Sequence, residues 1–277
     1  MPRVSIIIPT YNWSSVLRYA IRTVLWQTMQ DFELLVIGDG CTDDSADVVA
    51  SFKDARIRWE NLPKNTGSQS APNNRGLELA AAPYVAYLGH DDIWHPEHLG
   101  VLLKNIGDRD IAYSLAALIG PAPQNIRSLT GLSPSGTYEY NQFVPPSSVL
   151  HKQNLAADIG GWKNYRTIRM QPDVDFLTRA LEFGKRFAPV HELTVFKFPS
   201  NMRKNSYKEK RFDEQAECVK RIENEPDYRY RALLEIYRSL VVHYPPLTLY
   251  GVKPADGAAP GAVVEEWRSF RGLSPQE

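Results

Sequence analysis

Two cysteines in 277 residues, Cys41 and Cys218, are too few and too far apart for a disulfide framework, a zinc site or a redox pair. That scarcity makes a reducing compartment the default, and the expected location is cytoplasmic. Net charge is also missing: 32 Lys and Arg balance 32 Asp and Glu. This excludes the basic footprint of a general nucleic-acid binder. No apolar run approaches the ~20 residues of a membrane-crossing helix. Met1-Pro2-Arg3-Val4 leads straight into a strand pattern with no secretory signal. The expectation is a chain without a transmembrane segment, with peripheral contact at the inner face of a membrane and the oligomeric state left open. Internal repeats are absent.

What is present is a hydrophobic content of 43%, enough for one large α/β domain or one domain with a small appendage. Val4–Ile8 is a β-branched run stopped by Pro9, and Ser14 is a good N-cap for the helix after it. That helix carries Val16, Leu17, Ala20, Ile21, Val24 and Leu25 at helical spacing. Phe32–Ile37 reads as a second strand, a helix runs on to about Phe52, and Ile57–Trp59 reads as a third strand. Asn73–Ala82 reads as another helix, leading into Tyr84–Leu88. Alternating strands and helices predict a mostly parallel sheet with helices on its faces.

This layout sets three polar strand ends on one edge: Pro9–Asn12, Asp39–Asp43 and Asp91–Asp92. Ligands of open α/β sheets sit beyond the carboxyl ends of the strands. Glycine is absent from the first of these ends, so neither a dinucleotide fingerprint nor a phosphate-cradling loop is there. A nucleotide would then be held by carboxylates and a cation. Asp39 is suited to accept the imide N–H of uracil or thymine, Asp91 to accept from a ribose hydroxyl, and Asp92 to bind the cation. Ions of the magnesium type commonly take one or two protein carboxylates and complete their shell with phosphate and water. The bland alternative for Asp91-Asp92 is a solvated turn and helix cap.

Residues 4–100 resemble the nucleotide-binding half of the family 2 inverting glycosyltransferases, whose fold is called GT-A. The matching pieces are Val4–Asn12, Leu35–Asp43, Asn65-Thr66-Gly67, Asn74-Arg75-Gly76-Leu77 and the run to Asp91-Asp92. Their order and spacing carry the resemblance more than any one piece does. It implies a GT-A sheet flanked by helices, a nucleotide-diphospho-sugar donor and a glycan or glycolipid acceptor. Asp39 then meets the base, Asp91 the ribose, and Asp92 an Mn²⁺ or Mg²⁺ ion. Pro9, Thr10, Tyr11 and Asn12 lie against the uracil, with Asn74 also on the nucleotide. The chain departs from the family's usual wording in three places. Gly38 replaces an acid, Gly89 replaces the acid two residues before Asp91, and Asn73 replaces an arginine.

In the second half, Ile111–Ile119 reads as a strand and residues 120–142, rich in Pro, Gly, Ser and Asn, as a surface excursion. Val144–His151 returns to the core. Pro172 and Asp173 open a helix with an apolar stripe through Val174, Phe176, Leu177, Ala180 and Leu181. An acid there suits the helix dipole by itself. The resemblance, in which the catalytic base stands just before such a helix, places that role on Asp173 and leaves Asp175 structural. Arg186–Ala188 and Val195–Phe198 suggest a last strand pair, with a basic loop, Pro199–Tyr207, after it. Arg203 is its best candidate to close over a diphosphate, and His191 is carried as a second metal ligand. Lys208–Asn224 and Asp227–Val242 read as amphipathic helices, and the Arg/Tyr-rich face at Tyr228–Arg231 as a surface for a lipid headgroup or partner.

The resulting division is a GT-A domain over 1–207, with a nucleotide half (1–100) and an acceptor half (101–207). A helical extension with an irregular tail covers 208–277. The expected activity is metal-dependent, inverting transfer from a UDP- or dTDP-sugar to an acceptor hydroxyl in cell-surface polysaccharide or glycolipid synthesis. Two rivals are a catalytically inactive nucleotide-sugar-binding subunit and a nucleotidyltransferase. The second lacks the Gly-rich basic loop it would need after the first strand.

Overall fold

The computed structural model describes residues 1–122, 127–243 and 259–273. Strands β1 (Val4–Thr10) and β2 (Phe32–Gly38) are buried on both pleat faces, as central strands of a parallel sheet must be. They pair in parallel from Val4 opposite Phe32 to Thr10 opposite Gly38. Helix α1 (Ser14–Leu25) connects them and turns Val16, Leu17, Ala20, Ile21 and Val24 inward. After α2 (Ser45–Ser51), β3 (Ile57–Asn61) extends the sheet beside β2, again in parallel. Helix α3 (Ser70–Leu79) starts three residues ahead of the expected Asn73. A Cβ on its Gly76 would lie 2.6 Å from the Ile7 side chain, so glycine lets α3 sit directly on β1. Strand β4 (Tyr84–Tyr87) then joins the other edge of β1 in parallel.

The second half adds β5 (Ile93–Trp94), α4 (His98–Asn105), β6 (Ile111–Ile119), β7 (Arg127–Thr130), β8 (Val149–Lys152), α5 (Asn154–Asp158), α6 (Pro172–Glu182) and β9 (Phe187–Lys197). The strand order is β3-β2-β1-β4-β8-β6-β9-β5, with β7 on β6. Pairing turns antiparallel at β4–β8 and β8–β6. Part of the segment expected to be a surface excursion is therefore strand β7. The expected strand pair near 186–198 is one strand. β9 pairs with β6 up to Val190, resumes at Leu193, and leaves His191 and Glu192 bulged into solvent.

Period-two alternation divides the core. Ile6, Ile8, Leu34 and Val36 face α1 and α4, while Ile7, Leu35 and Ile37 share the opposite cluster with Phe176 and Leu177 of α6. Beyond β9 come α7 (Ser206–Glu209), α8 (Asp213–Asn224), α9 (Tyr228–His243) and α10 (Ala262–Phe270). Cys218, Val219, Tyr228, Ala232 and Ile236 of α8 and α9 close a third cluster over Leu115 and Phe196. These helices thus complete the core on β6 and β9. Residues 244–258, in the expected irregular tail, lie outside the described residues. Helix α10 then forms where only an irregular tail was expected. Among the described residues no helix is long and apolar enough to cross a membrane.

Candidate functional site

The carboxyl ends of β1, β2 and β4 open into a cleft of about 360 Å³, within the size range of small-molecule sites. Pro9, Thr10, Tyr11, Asp39, Asp91, Asp92 and Asp173 all line it. Strand ends place the first six, and the first turn of α6 places the last.

At one end, Asp39 is almost fully buried. Its carboxylate accepts from the Thr66 backbone N–H (3.0 Å) and the Thr66 hydroxyl (2.8 Å). Burial raises its pKa above the usual carboxylate value, and the Thr66 bonds work against that rise. Around it stands an aromatic group not anticipated from the sequence. Trp13 and Tyr207 have ring centroids 5.3 Å apart, and Tyr11 and Tyr207 6.2 Å apart. His90 ties them together. The Tyr11 backbone N–H can only donate, at 3.4 Å from His90 Nδ1, so that nitrogen accepts and the proton resides on Nε2. Nε2 then faces the Tyr207 hydroxyl at 3.3 Å. Burial lowers the His90 pKa, which keeps the ring neutral.

At the centre, Asp92 is completely buried. Its Oδ2 accepts from the Ser147 hydroxyl (2.5 Å) and the Lys197 ammonium (3.0 Å), and its Oδ1 from the Phe198 N–H (3.3 Å). Ser147 also accepts from the Gly89 N–H at 3.0 Å. A Cβ at position 89 would stand 2.9 Å from Asp92 Oδ2, so only glycine allows the carboxylate this close. Lys197 lines the cleft where β9 ends. Burial by itself would lower its pKa, but Asp92, Asp91 and Asp173 outweigh burial and raise it, so the ammonium stays charged.

Asp173 is buried, and burial lifts its carboxyl above the ordinary carboxylate value, with the Lys197 charge and two backbone N–H groups opposing the lift. A carboxylate so placed is a stronger base than a solvated one. The far wall comes from α10 and the residues after it. Val264, Trp267, Arg268 and Arg271 line the cleft. Arg268 donates to the Gly67 carbonyl at 2.8 Å, and the Asn205 N–H anchors to the Phe270 carbonyl at 3.0 Å.

Four expected site residues stand outside the cleft lining. Asn12 organises the β2 loop, its side-chain oxygen accepting from the Thr42 N–H at 2.7 Å. Asn74 grips the Trp162 backbone, donating to its carbonyl (2.8 Å) and accepting from its N–H (2.9 Å). Arg203 is a strut: it makes two bonds to Glu214 (2.7 and 2.8 Å) and reaches the Ile119 and Pro199 carbonyls. His191 sits in the β9 bulge, exposed, six residues before Lys197, about 15–20 Å of strand away. It therefore cannot join Asp92 around one ion. The basic face at 228–231 is mostly committed inside the protein as well. Tyr228 stacks on Phe196, Arg229 pairs with Glu97 at 3.0 Å, and Arg231 pairs with Asp227 at 2.8 Å.

The residues present do not fit the expected Mn²⁺ or Mg²⁺ at Asp92. Both carboxylate oxygens have donors, one of them an ammonium, and the upstream acid position is Gly89. Among the described residues no group of three or more His, Cys, Asp or Glu side chains is gathered for a metal. The residues that sequence reasoning missed were Lys197, Ser147, His90, Tyr207, Arg268 and Arg271. Lys197 did carry a signal, since a charge inside Val195-Phe196-Lys197-Phe198 must find a buried partner.

Compared with known proteins, residues 5–151 match the family model of glycosyl transferase family 2. Over 103 residues the chain is 39% identical to the poly(ribitol-phosphate) beta-N-acetylglucosaminyltransferase TarP of Staphylococcus aureus, covering 36% of this chain and 31% of that protein. It is 33% identical over 115 residues to TuaG of Bacillus subtilis, provisionally named a teichuronic acid biosynthesis glycosyltransferase, covering 41% of this chain and 45% of TuaG. The matched stretch thus spans less than half of either relative. Among solved structures, S. aureus TarS bound to UDP-GlcNAc superposes with a TM-score of 0.58 at 17% identity, covering 87% of this chain and 73% of that one. A Pyrobaculum calidifontis mannosyltransferase bound to GDP-Man and Mn²⁺ gives 0.56 at 14% identity, covering 98% and 84%. At these identities the structural likeness establishes the GT-A fold.

Proposed function

This chain belongs to glycosyltransferase family 2, and from that premise we propose that it moves a sugar from a UDP- or dTDP-sugar to an acceptor hydroxyl with inversion at the anomeric carbon. One observation carries the proposal: an acid suited to a pyrimidine base, a carboxylate–ammonium group and a buried basic carboxylate, Asp173, line the same cleft. The TarS complex with UDP-GlcNAc supports a uridine donor on this fold.

Asp39 accepts the imide N–H of the base, with Pro9, Thr10 and Tyr11 along its ring and Asp91 at the ribose. The diphosphate lies toward Lys197 and Arg271. The acceptor oxygen attacks the anomeric carbon as the bond from that carbon to the phosphate oxygen breaks. The nucleoside diphosphate leaves with the bonding electrons, and the acceptor proton passes to Asp173. Holding both substrates in one cleft supplies proximity and orientation. The Mn²⁺ or Mg²⁺ expected from the resemblance has the Mn²⁺-bound mannosyltransferase in its favour and the Lys197–Asp92 pair against it. The names of TarP and TuaG favour a cell-surface glycan or glycolipid as acceptor. Peripheral contact with a lipid-borne acceptor is favoured by an exposed stripe of α9, Tyr230, Leu234, Tyr237 and Val241.

The test is Asp173→Asn, scored by nucleotide release from a donor panel and by UDP calorimetry. Turnover should fall about 10²–10⁴-fold, with UDP affinity within about twofold of the parent. In the parent protein turnover should fall with acid through a pKa above the ordinary carboxylate value, because the base works deprotonated and burial raises its pKa. Full turnover in Asp173→Asn refutes the assignment.

A further inference from the structure

We propose that Lys197 is the resident cation of the donor site: its ammonium holds the place of a divalent ion beside Asp92 and takes up the charge of the diphosphate, so that donor binding needs no metal. This deepens the proposed function and rests on its reading of the cleft as a nucleotide-sugar site.

Four observations support it. First, Lys197 Nζ lies 3.0 Å from Asp92 Oδ2, the same carboxylate a metal would have to use. The lysine side chain is only 19% exposed and the aspartate not at all, so the contact is built into the core and not a surface pairing. Second, both carboxylate oxygens already have donors without a metal. The Ser147 hydroxyl and the Phe198 N–H hold it beside the lysine, and both come from segments that close the cleft. A metal ion would have to displace the ammonium from a carboxylate that cannot turn to water. Third, Gly89 has no side chain to crowd Asp92 Oδ2, where a Cβ would stand 2.9 Å away, and so leaves the approach a single ammonium needs. Fourth, Lys197 is turned toward the ligand space. It lines the cleft together with Asp91 and Asp173.

An ammonium has three N–H bonds. One is committed to Asp92, and two remain for phosphate oxygens. Arg268 and Arg271 add two further cations on the far wall of the same cleft. These groups are preorganised where the leaving diphosphate gathers charge, which is how an electrostatic site stabilises a departing anion.

Two measurements test the inference. UDP calorimetry on the parent protein, in EDTA and in Mn²⁺, should give affinities within about twofold of each other. Binding at least tenfold weaker in EDTA overturns the inference while leaving the nucleotide-sugar reading intact. Absence of UDP binding in both buffers overturns that reading, and this one with it. Mn²⁺ titration monitored by electron paramagnetic resonance, without nucleotide, should show no tight ion on the parent and a gained site in Lys197→Met, where Asp92 is freed. UDP binding by that variant should weaken tenfold or more in EDTA and recover in Mn²⁺, whereas Lys197→Arg should stay indifferent to metal. No gain of Mn²⁺ by folded Lys197→Met, checked by circular dichroism, also overturns it.

Discussion

The Lys197–Asp92 pair should appear as a large coupling energy in a double-mutant cycle. Lys197→Met removes the ammonium and leaves the fully buried Asp92 carboxylate with only two neutral donors, the Ser147 hydroxyl and the Phe198 N–H. Breaking a buried pair by removing one partner costs about 3–5 kcal/mol, and the 19% exposure of the lysine side chain is low enough for that figure to apply. Asp92→Asn should cost less, about 1–2 kcal/mol, because Asp91 and Asp173 still face the ammonium. The double variant removes both charges and should cost well under the sum, giving a coupling of about 2–3 kcal/mol. Urea unfolding at neutral pH measures all three, and the melting temperature of Lys197→Met should drop roughly 10 °C. The folded lysine pKa is raised, so the lysine's contribution is fully present below the free-lysine pKa and fades as pH rises through the folded value, while burial raises the Asp92 pKa and ends the pair on the acid side. In Lys197→Met the deficit should instead shrink on acidification, as Asp92 takes up a proton. A coupling below about 0.5 kcal/mol would show that the ammonium and carboxylate are not an energetic unit, and the reasoning from their geometry would fail.

Two further substitutions separate ligand contacts from structural ones. Asp39→Asn keeps an acceptor for Thr66 but no longer offers a charged acceptor to an imide N–H. UDP affinity should fall about tenfold or more by calorimetry, since hydrogen bonds to charged groups are worth ~1.5–3 kcal/mol, and unchanged affinity would remove Asp39 from the base site. Asn74→Ala deletes both bonds to the Trp162 peptide and should lower stability by about 1–3 kcal/mol in urea unfolding. UDP affinity in that variant should stay within about twofold, and a selective loss of UDP binding would return Asn74 to the nucleotide.

The first hundred residues were legible because burial there is nearly total and the punctuation is clear. Runs such as Val4–Ile8 and Phe32–Ile37 can only be central strands, and Asp39 and Gly89 lie just past strand ends, although β1 continues through the expected stop at Pro9 to Thr10. Strand ends also located Asp39, Asp91 and Asp92 at one mouth, because topology and not side-chain contact decides that. What failed depended on tertiary contacts. Asn74 and Arg203 have the chemistry of phosphate ligands, but their partners are the Trp162 backbone and Glu214, which no sequence pattern ties to them. His191 was misplaced by a two-residue bulge, which splits β9 into two apparent strands in the sequence. Helix α10 went unread because a Pro-, Gly- and Ala-rich stretch precedes it and its anchors, such as Arg268 to the Gly67 carbonyl, lie some two hundred residues away.

The departures from the family pattern and the unread residues belong to one account of charge. The first half lacks two groups the family usually has there: an acid, at Gly89, and a cation, at Asn73. Asn73 is completely buried in α3, and the neighbouring Arg75 is committed to Glu60 and Glu78, so the missing cation is not restored locally. The cleft nevertheless holds three basic side chains, Lys197 from the end of β9 and Arg268 and Arg271 from the α10 segment. A diphosphate between Asp91 and Asp173 needs positive charge whatever its source, because its own charge adds to those carboxylates at short range. A metal supplies that charge only with carboxylates left open to it, and here Asp92 is already shared with an ammonium and two donors. On the proposed reading, Gly89 and Lys197 then act together at the mouth of β4, the glycine leaving room at Asp92 and the lysine supplying the charge there.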